Sequence, residues 1–349
     1  MGTVQALALV KRTARRLAAE LYARSPGFLK RLEGKATILT YHRVVTAQEL
    51  SRERIQPGMY VTAEMFERHL TFLQRHFTVL AFPELLDLWS SGRWDCGARY
   101  CVVTFDDGWL DNYRYAFPIL KAHRVPATLF LPTAFIGTNH WFWPERIGWL
   151  CERMNGVGQE IRLHVEQSLE RTSLWSDRFK GALSSLDIDQ VIECCKTFRS
   201  EQIDQFAETW AQALRVKLPN DRQVINWDEA KDMSRNGISF GSHSVSHEIL
   251  TTLPHDAVVR EVTDSWLALR GAGIGSLPVF CYPNGDWSEE IARAVQAAGY
   301  AAATTTEFGH EGSQPQSMFG LKRINIHQDI TSTDALFGFH LAGLNHLHA

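Results

Sequence analysis

Three things are missing from this chain of 349 residues: an apolar run long enough to cross a bilayer, a Cys-x-x-Cys pair, and an excess of basic charge. Spanning a membrane as a helix takes roughly 20 apolar residues in a row, so no transmembrane helix is expected. The six cysteines, at 96, 101, 151, 194, 195 and 281, are scattered, and Cys101 and Cys281 sit inside apolar runs. That spacing fits reduced, buried thiols better than a disulfide frame or a zinc knuckle. Lys and Arg number 36 against 39 Asp and Glu, for a net charge of -3, so no global basic field recruits nucleic acid. The start also lacks the charge order of an export signal. Ala6-Leu7-Ala8-Leu9-Val10 precedes Lys11, Arg12, Arg15 and Arg16, whereas a secretory signal places its charges first. Residues 1–35 therefore read as a basic amphipathic helix reaching about Arg24. It packs on the domain or, through residues 4–24, touches a membrane surface. The expected location is cytoplasmic, with a peripheral position at the inner membrane face as its extension.

What is present is an alternation of strand and helix signals. Short β-rich runs fall at residues 37–41, 77–80, 101–105, 127–131, 238–242, 277–282, 300–304 and 321–326. Helix patterns separate them, as at residues 62–73, where Thr62 can cap and Met65, Phe66, His69, Leu70 and Leu73 share a face. This predicts a parallel α/β fold with function at the carboxyl ends of the strands, and eight candidates suit a barrel, regular or distorted. The alternation breaks between about 140 and 225, a polar, helix-rich stretch read as an insertion. The main domain is expected over 36–335, with a tail at 336–349.

The run Cys101-Val102-Val103-Thr104-Phe105 stops at Asp106-Asp107-Gly108. Two adjacent carboxylates at one strand end repel unless a cation or a proton offsets one of them. One Asp on a metal with its neighbour as a base resolves this. Taken alone, the segment reads equally well as a strand-to-turn junction, since Asp-Gly is a turn signal. His243-Ser244-Val245-Ser246-His247 follows another strand candidate. Histidines at i and i+4 face the same way in a helix and suit one metal. Ser244 stands where the metalloprotease signature would have Glu. Asp107 would complete a set of two His and one carboxylate with open positions. A non-haem iron oxygenase would use the same three ligands, but only a hydrolase needs the second Asp to take a proton from metal-bound water. The third strand end, Phe280-Cys281-Tyr282-Pro283-Asn284-Gly285, is a sharp bend. It could aim the Tyr282 N–H into the cleft as an oxyanion donor.

Together these segments resemble the polysaccharide deacetylase family, carbohydrate esterase family 4. Thr104-Phe105-Asp106-Asp107-Gly108 is similar to its first motif, His243-Ser244-x-x-His247 to its second, and Phe280-x-Tyr282-Pro283-x-Gly285 to a variant of its third. The resemblance implies a distorted (β/α) barrel and metal-dependent removal of acetyl from an N-acetylated amino sugar. It implies Asp106 as base and Asp107, His243 and His247 as metal ligands, with zinc the default and cobalt or nickel able to serve. Tyr41-His42 resembles the early Tyr-His pair of the poly-N-acetylglucosamine deacetylase branch, which makes His42 the expected general acid. Two departures stand out. Phe280 or Cys281 occupies the place of an Arg that often tethers the base, and Arg323 is the substitute considered. The late Leu-x-x-His motif is replaced at best by His327, the competing acid.

The expected substrate is an N-acetylated glycan or a lipid-linked sugar. Two other functions fit less of the pattern. A non-catalytic glycan-binding protein on the same fold would have no use for both Asp and both His. A metal-dependent hydrolase of small amides or imides fits less well with the aromatic surroundings of Trp109, Trp141 and Trp143.

Overall fold

The computed structural model describes residues 2–51 and 55–346, with side chains over 10–51 and 55–345. Ten strands run in chain order: β1 (Lys35–Tyr41), β2 (Arg43–Val45), β3 (Tyr60–Thr62), β4 (Thr78–Val79), β5 (Arg99–Phe105), β6 (Ala127–Leu131), β7 (Ile238–Ser242), β8 (Ser276–Cys281), β9 (Ala302–Phe308) and β10 (Leu321–Asn325). Their order in the main sheet is β1-β10-β9-β8-β7-β6-β5, and β1 also pairs with β5, which closes a ring of seven parallel strands. The chain is a distorted (β/α) barrel.

The eighth strand candidate stays outside that ring. Residues 78 and 79 pair with Tyr100 and Cys101 at the start of β5, along an edge whose far end, Thr104 and Phe105, is taken by β6. β2 and β3 form a separate parallel pair. At three residues each they are too short to show a two-residue period in the sequence.

Alternation along the strands builds two layers. Ala36, Ile38, Tyr100, Val102, Phe130, Val279, Cys281, Ala302 and Leu321 gather in one buried cluster. The residues between them, such as Leu39, Tyr41, Cys101, Val103, Phe105 and Leu131, join a second cluster with the surrounding helices. Asp106 continues the first series, Tyr100-Val102-Thr104, so it belongs to the barrel's inner face.

The insertion between β6 and β7 begins with five α-helices, from Trp143–Met154 to Ser200–Leu214, before helix Trp227–Arg235 leads into β7. The five bury a core of their own that includes Leu150, Phe179, Phe206 and Trp210. The expected tail at 336–349 is not one. Helix Asp334–Leu341 crosses that boundary, buries Leu336, Phe337 and Leu341, and takes Ala19 of the N-terminal helix Gly2–Ala23 against it. Residues 347–349 lie outside the described part. No helix among the described residues is long and apolar enough to cross a membrane. Of the stretch 4–24, the side chains of residues 4–9 also lie outside the description; in the remainder Ala19 packs against helix Asp334–Leu341, while Val10, Leu17 and Leu21 are exposed.

Candidate metal centre

Asp106 and Asp107 leave β5 in different directions because the backbone turns sharply after the first. Asp107 has φ 72° and Gly108 φ 66°. A Cβ on Gly108 would meet Leu131 Cδ2 at 2.5 Å, so only glycine fits there. The strain of a left-handed Asp is the kind that persists where surrounding structure holds it.

His243 and His247 do converge, but not through a helix. The segment after β7 is a loop in which Ser244 (φ 67°) and His247 (φ 59°) are left-handed. Ser244 Oγ accepts the His247 N–H at 3.0 Å. The Glu261 carboxylate, on helix His255–Gly271, accepts the N–H groups of Val245 and Ser246 at 2.8 and 2.9 Å. Ser244 and Glu261 thus do the positioning that helical periodicity was expected to do.

Asp107 Oδ1 lies 3.4 Å from His243 Nε2 and 3.2 Å from His247 Nε2. The three donor atoms fall within 4.8 Å of one another, close enough to hold a cation. Their supports fit that role. His243 Nδ1–H donates to the Cys281 carbonyl at 2.7 Å, which leaves the Nε2 lone pair facing Asp107. Trp109 Nε1–H donates to Asp107 Oδ2 at 2.9 Å, which leaves Oδ1 for a metal. Two imidazole nitrogens and one carboxylate oxygen form an open three-ligand set of the kind catalytic zinc uses. Burial pushes the Asp107 pKa up, but hydrogen bonds from His243 and His247 outweigh it and hold the carboxyl well below its usual range.

Asp106 is tied elsewhere. Arg323, buried on β10, donates from Nη1 to Oδ1 and from Nη2 to Oδ2, each at 2.7 Å. Arg323 is therefore no surface charge; it is the tether missing from the 280–285 bend. Nη2 also donates to Cys281 Sγ at 3.1 Å, beside that bend. Burial raises the Asp106 pKa, and the guanidinium more than reverses this, so Asp106 is ionised at neutral pH.

His42, directly after β1, places Nε2 4.0 Å from Asp106 Oδ2. The loop is fixed by residues that the motif reading passed over. Asn112 Nδ2 donates to the His42 carbonyl at 2.8 Å, and Asp111 accepts from Arg43 Nε at 2.7 Å and the Val44 N–H at 3.0 Å. Their only sequence signal is their place one turn beyond Asp-Asp-Gly. His42 Nδ1 is buried with no hydrogen-bond partner among the described residues. Burial lowers the His42 pKa more than Asp107 and Asp106 raise it.

A pocket of about 210 Å³ opens on Asp106, Asp107, His42, His243 and His247, with Trp143, Glu145 and Ile192 of the insertion on its far wall. Burial, with Asp107 adding to it, pushes the Glu145 carboxyl up to about 7. No residue pattern in the insertion announced Glu145. The other expected site residues fare unevenly. Tyr282 lines the pocket, but its N–H donates to the Thr304 carbonyl at 3.2 Å, so it is not an oxyanion donor. Strand pairing between β8 and β9 runs one residue past Cys281 and consumes that donor. Pro283 is buried in the following turn. His327 caps helix Gln328–Thr331 and sits 3.5 Å from Asp329; it does not line the pocket.

A family model described as polysaccharide deacetylase matches residues 95–185 and 202–303, more than half of the chain. Asp106, Asp107, His243 and His247 fall inside the match; His42, Arg323 and His327 fall outside it. The Bacillus subtilis protein YxkH is 21% identical over 292 residues, covering 84% of this chain and 71% of that protein. A Staphylococcus aureus poly-beta-1,6-N-acetyl-D-glucosamine N-deacetylase is 32% identical over 124 residues, or 33% of this chain and 42% of that protein. Among solved structures, the Streptococcus pyogenes deacetylase PplD aligns with a TM-score of 0.55 at 18% identity, covering 87% of this chain and 97% of that one. IcaB from Ammonifex degensii aligns with 0.53 at 16%, covering 87% and 97%. At such identities the structural matches speak for the fold.

Proposed function

The chain belongs to the polysaccharide deacetylase family and is a carbohydrate deacetylase, a hydrolase, and on that premise we propose that it removes acetyl from an N-acetylhexosamine unit of a saccharide. In this reading Asp107, His243 and His247 hold one divalent cation, zinc by default. Asp106 is the general base and His42 the general acid. The observation that carries it is the division of labour between neighbouring carboxylates: Asp107 meets two imidazoles while Asp106 is held ionised by Arg323.

A bound zinc would acidify a water and polarise the acyl oxygen. The residues themselves supply the proton path. Asp106 accepts a proton from the attacking water. Arg323 keeps that carboxyl acidic, so it releases the proton readily. His42 Nε2 lies 4.0 Å away. Burial holds the ring neutral at rest, so it can take up the proton and pass it to the departing amine. Trp143 and Glu145 of the insertion line the same pocket.

Metal analysis tests the ligand set. Purified protein is expected to hold about one divalent ion per chain, and His243→Ala, His247→Ala protein to lose it. Undiminished metal content in that double variant would mean that the ion sits elsewhere.

A further inference from the structure

The pocket at Asp106 has a neighbour. A cavity of about 290 Å³ lies between the barrel rim and the insertion, and Gln56, Pro144, Glu145 and Ile192 line both spaces. The 210 Å³ pocket alone falls short of the roughly 300–1,000 Å³ of ordinary small-molecule sites, and the two together fall within it.

The wall of the second cavity is mixed. Trp141 and Trp149 contribute rings, Glu152 and Arg153 charged heads, and Gln223 an amide. The Arg153 guanidinium lies 4.5 Å from the Trp149 ring centroid, which sets hydrogen-bond donors beside an aromatic surface. An acyl chain would leave those charges desolvated and unpaired. A pyranose has an apolar C–H face for the rings and a rim of hydroxyls for the charges and amides.

Gly148 supplies a second, independent observation. It sits inside helix Trp143–Met154 and lines this cavity. A glycine there destabilises the helix relative to alanine. Neither of the usual structural reasons for glycine applies. Gly148 is not among the glycines with positive φ, and a Cβ would meet only Ile188 Cγ2, at an ordinary 3.7 Å. What the missing side chain keeps open is the cavity.

We propose that this cavity is a second saccharide subsite, which binds the sugar next to the one that loses its acetyl group. The proposal rests on the deacetylase reading above and adds that the helical insertion selects oligosaccharides over single sugars.

The test compares kcat/KM for N-acetylglucosamine with that for its β-linked disaccharide and tetrasaccharide. Wild-type protein is expected to favour the longer substrates by roughly tenfold, the effect of ~1.4 kcal/mol of added contact. Gly148→Leu projects into the cavity from a helix position where a Cβ makes only an ordinary contact, and should bring that ratio close to one in the folded protein. Trp149→Ala should do the same in whatever fraction folds. A wild-type ratio near one, or a ratio that Gly148→Leu leaves intact, overturns the subsite while leaving the deacetylase reading standing. Calorimetric titration of the tetrasaccharide into both proteins judges the subsite without turnover. Affinity should weaken about tenfold in Gly148→Leu, and equal affinity overturns the proposal even if no glycan releases acetate.

Discussion

Asp106→Asn protein is expected to lose roughly 100- to 10,000-fold in kcat, the range for removing a general base, while keeping its metal. Asn has nearly the same shape but cannot accept a proton at this position. The change has a second consequence that follows from Arg323. The buried guanidinium now donates two hydrogen bonds to an anion; Asn offers one neutral acceptor. Leaving a buried charge without its counterion costs about 3–5 kcal/mol at most, against a total stability of about 5–15 kcal/mol for an ordinary domain. The variant should therefore fold with a clearly lower melting temperature. Calorimetry, metal analysis and kcat of the folded fraction separate these effects. Near-wild-type turnover in a folded, metal-loaded Asp106→Asn protein would remove Asp106 from the base role.

His42→Ala should also cost kcat roughly 100- to 10,000-fold, with metal content intact, whereas His327→Ala should turn over close to wild type. The distinction is one of address. Both histidines follow strands, but His42 lines the pocket 4.0 Å from Asp106, and His327 turns to Asp329 at the start of a helix. The two rings also differ in what holds them. Asn112 and Asp111 pin the backbone at and just after His42, through the His42 carbonyl and the Val44 N–H. Kinetic loss in His327→Ala and none in His42→Ala would transfer the acid role to the later histidine.

How much of this was legible in the sequence depended on distance along the chain. Asp106, Asp107, His243 and His247 stood out because each pair is local and each follows a strand signal. Arg323 did not, because its partner lies more than 200 positions earlier and only closure of the barrel brings β10 beside β5. A buried Arg and a surface Arg look the same in a strand whose neighbours are unknown. The sense in which His243 and His247 converge was also hidden. An i, i+4 spacing suggests a helix, but here two left-handed residues and the Glu261 carboxylate bring the rings together. Tyr282 misled for a related reason. Pro283 signals a bend, but the pairing of β8 with β9 runs up to the residue before it and uses the Tyr282 N–H. Barrel closure by seven strands could not be read from the count of eight candidates, since the two-residue strand at 78–79 looks like any other short apolar run. Glu145 and Gly148 carry no motif; only the folding of the insertion against the barrel rim gives them a place.

The central claim is metal-dependent release of acetate from an N-acetylated saccharide. Its most direct test is acetate released by protein first stripped with a chelator and then refilled with zinc, cobalt or nickel, assayed on a panel of N-acetylated glycans that includes β-1,6- and β-1,4-linked glucosamine oligomers. Release should fall to background on stripping and return with the metal on at least one glycan. Release that persists in protein shown to be metal-free, or no acetate from any glycan with the metal-loaded protein, would contradict the account.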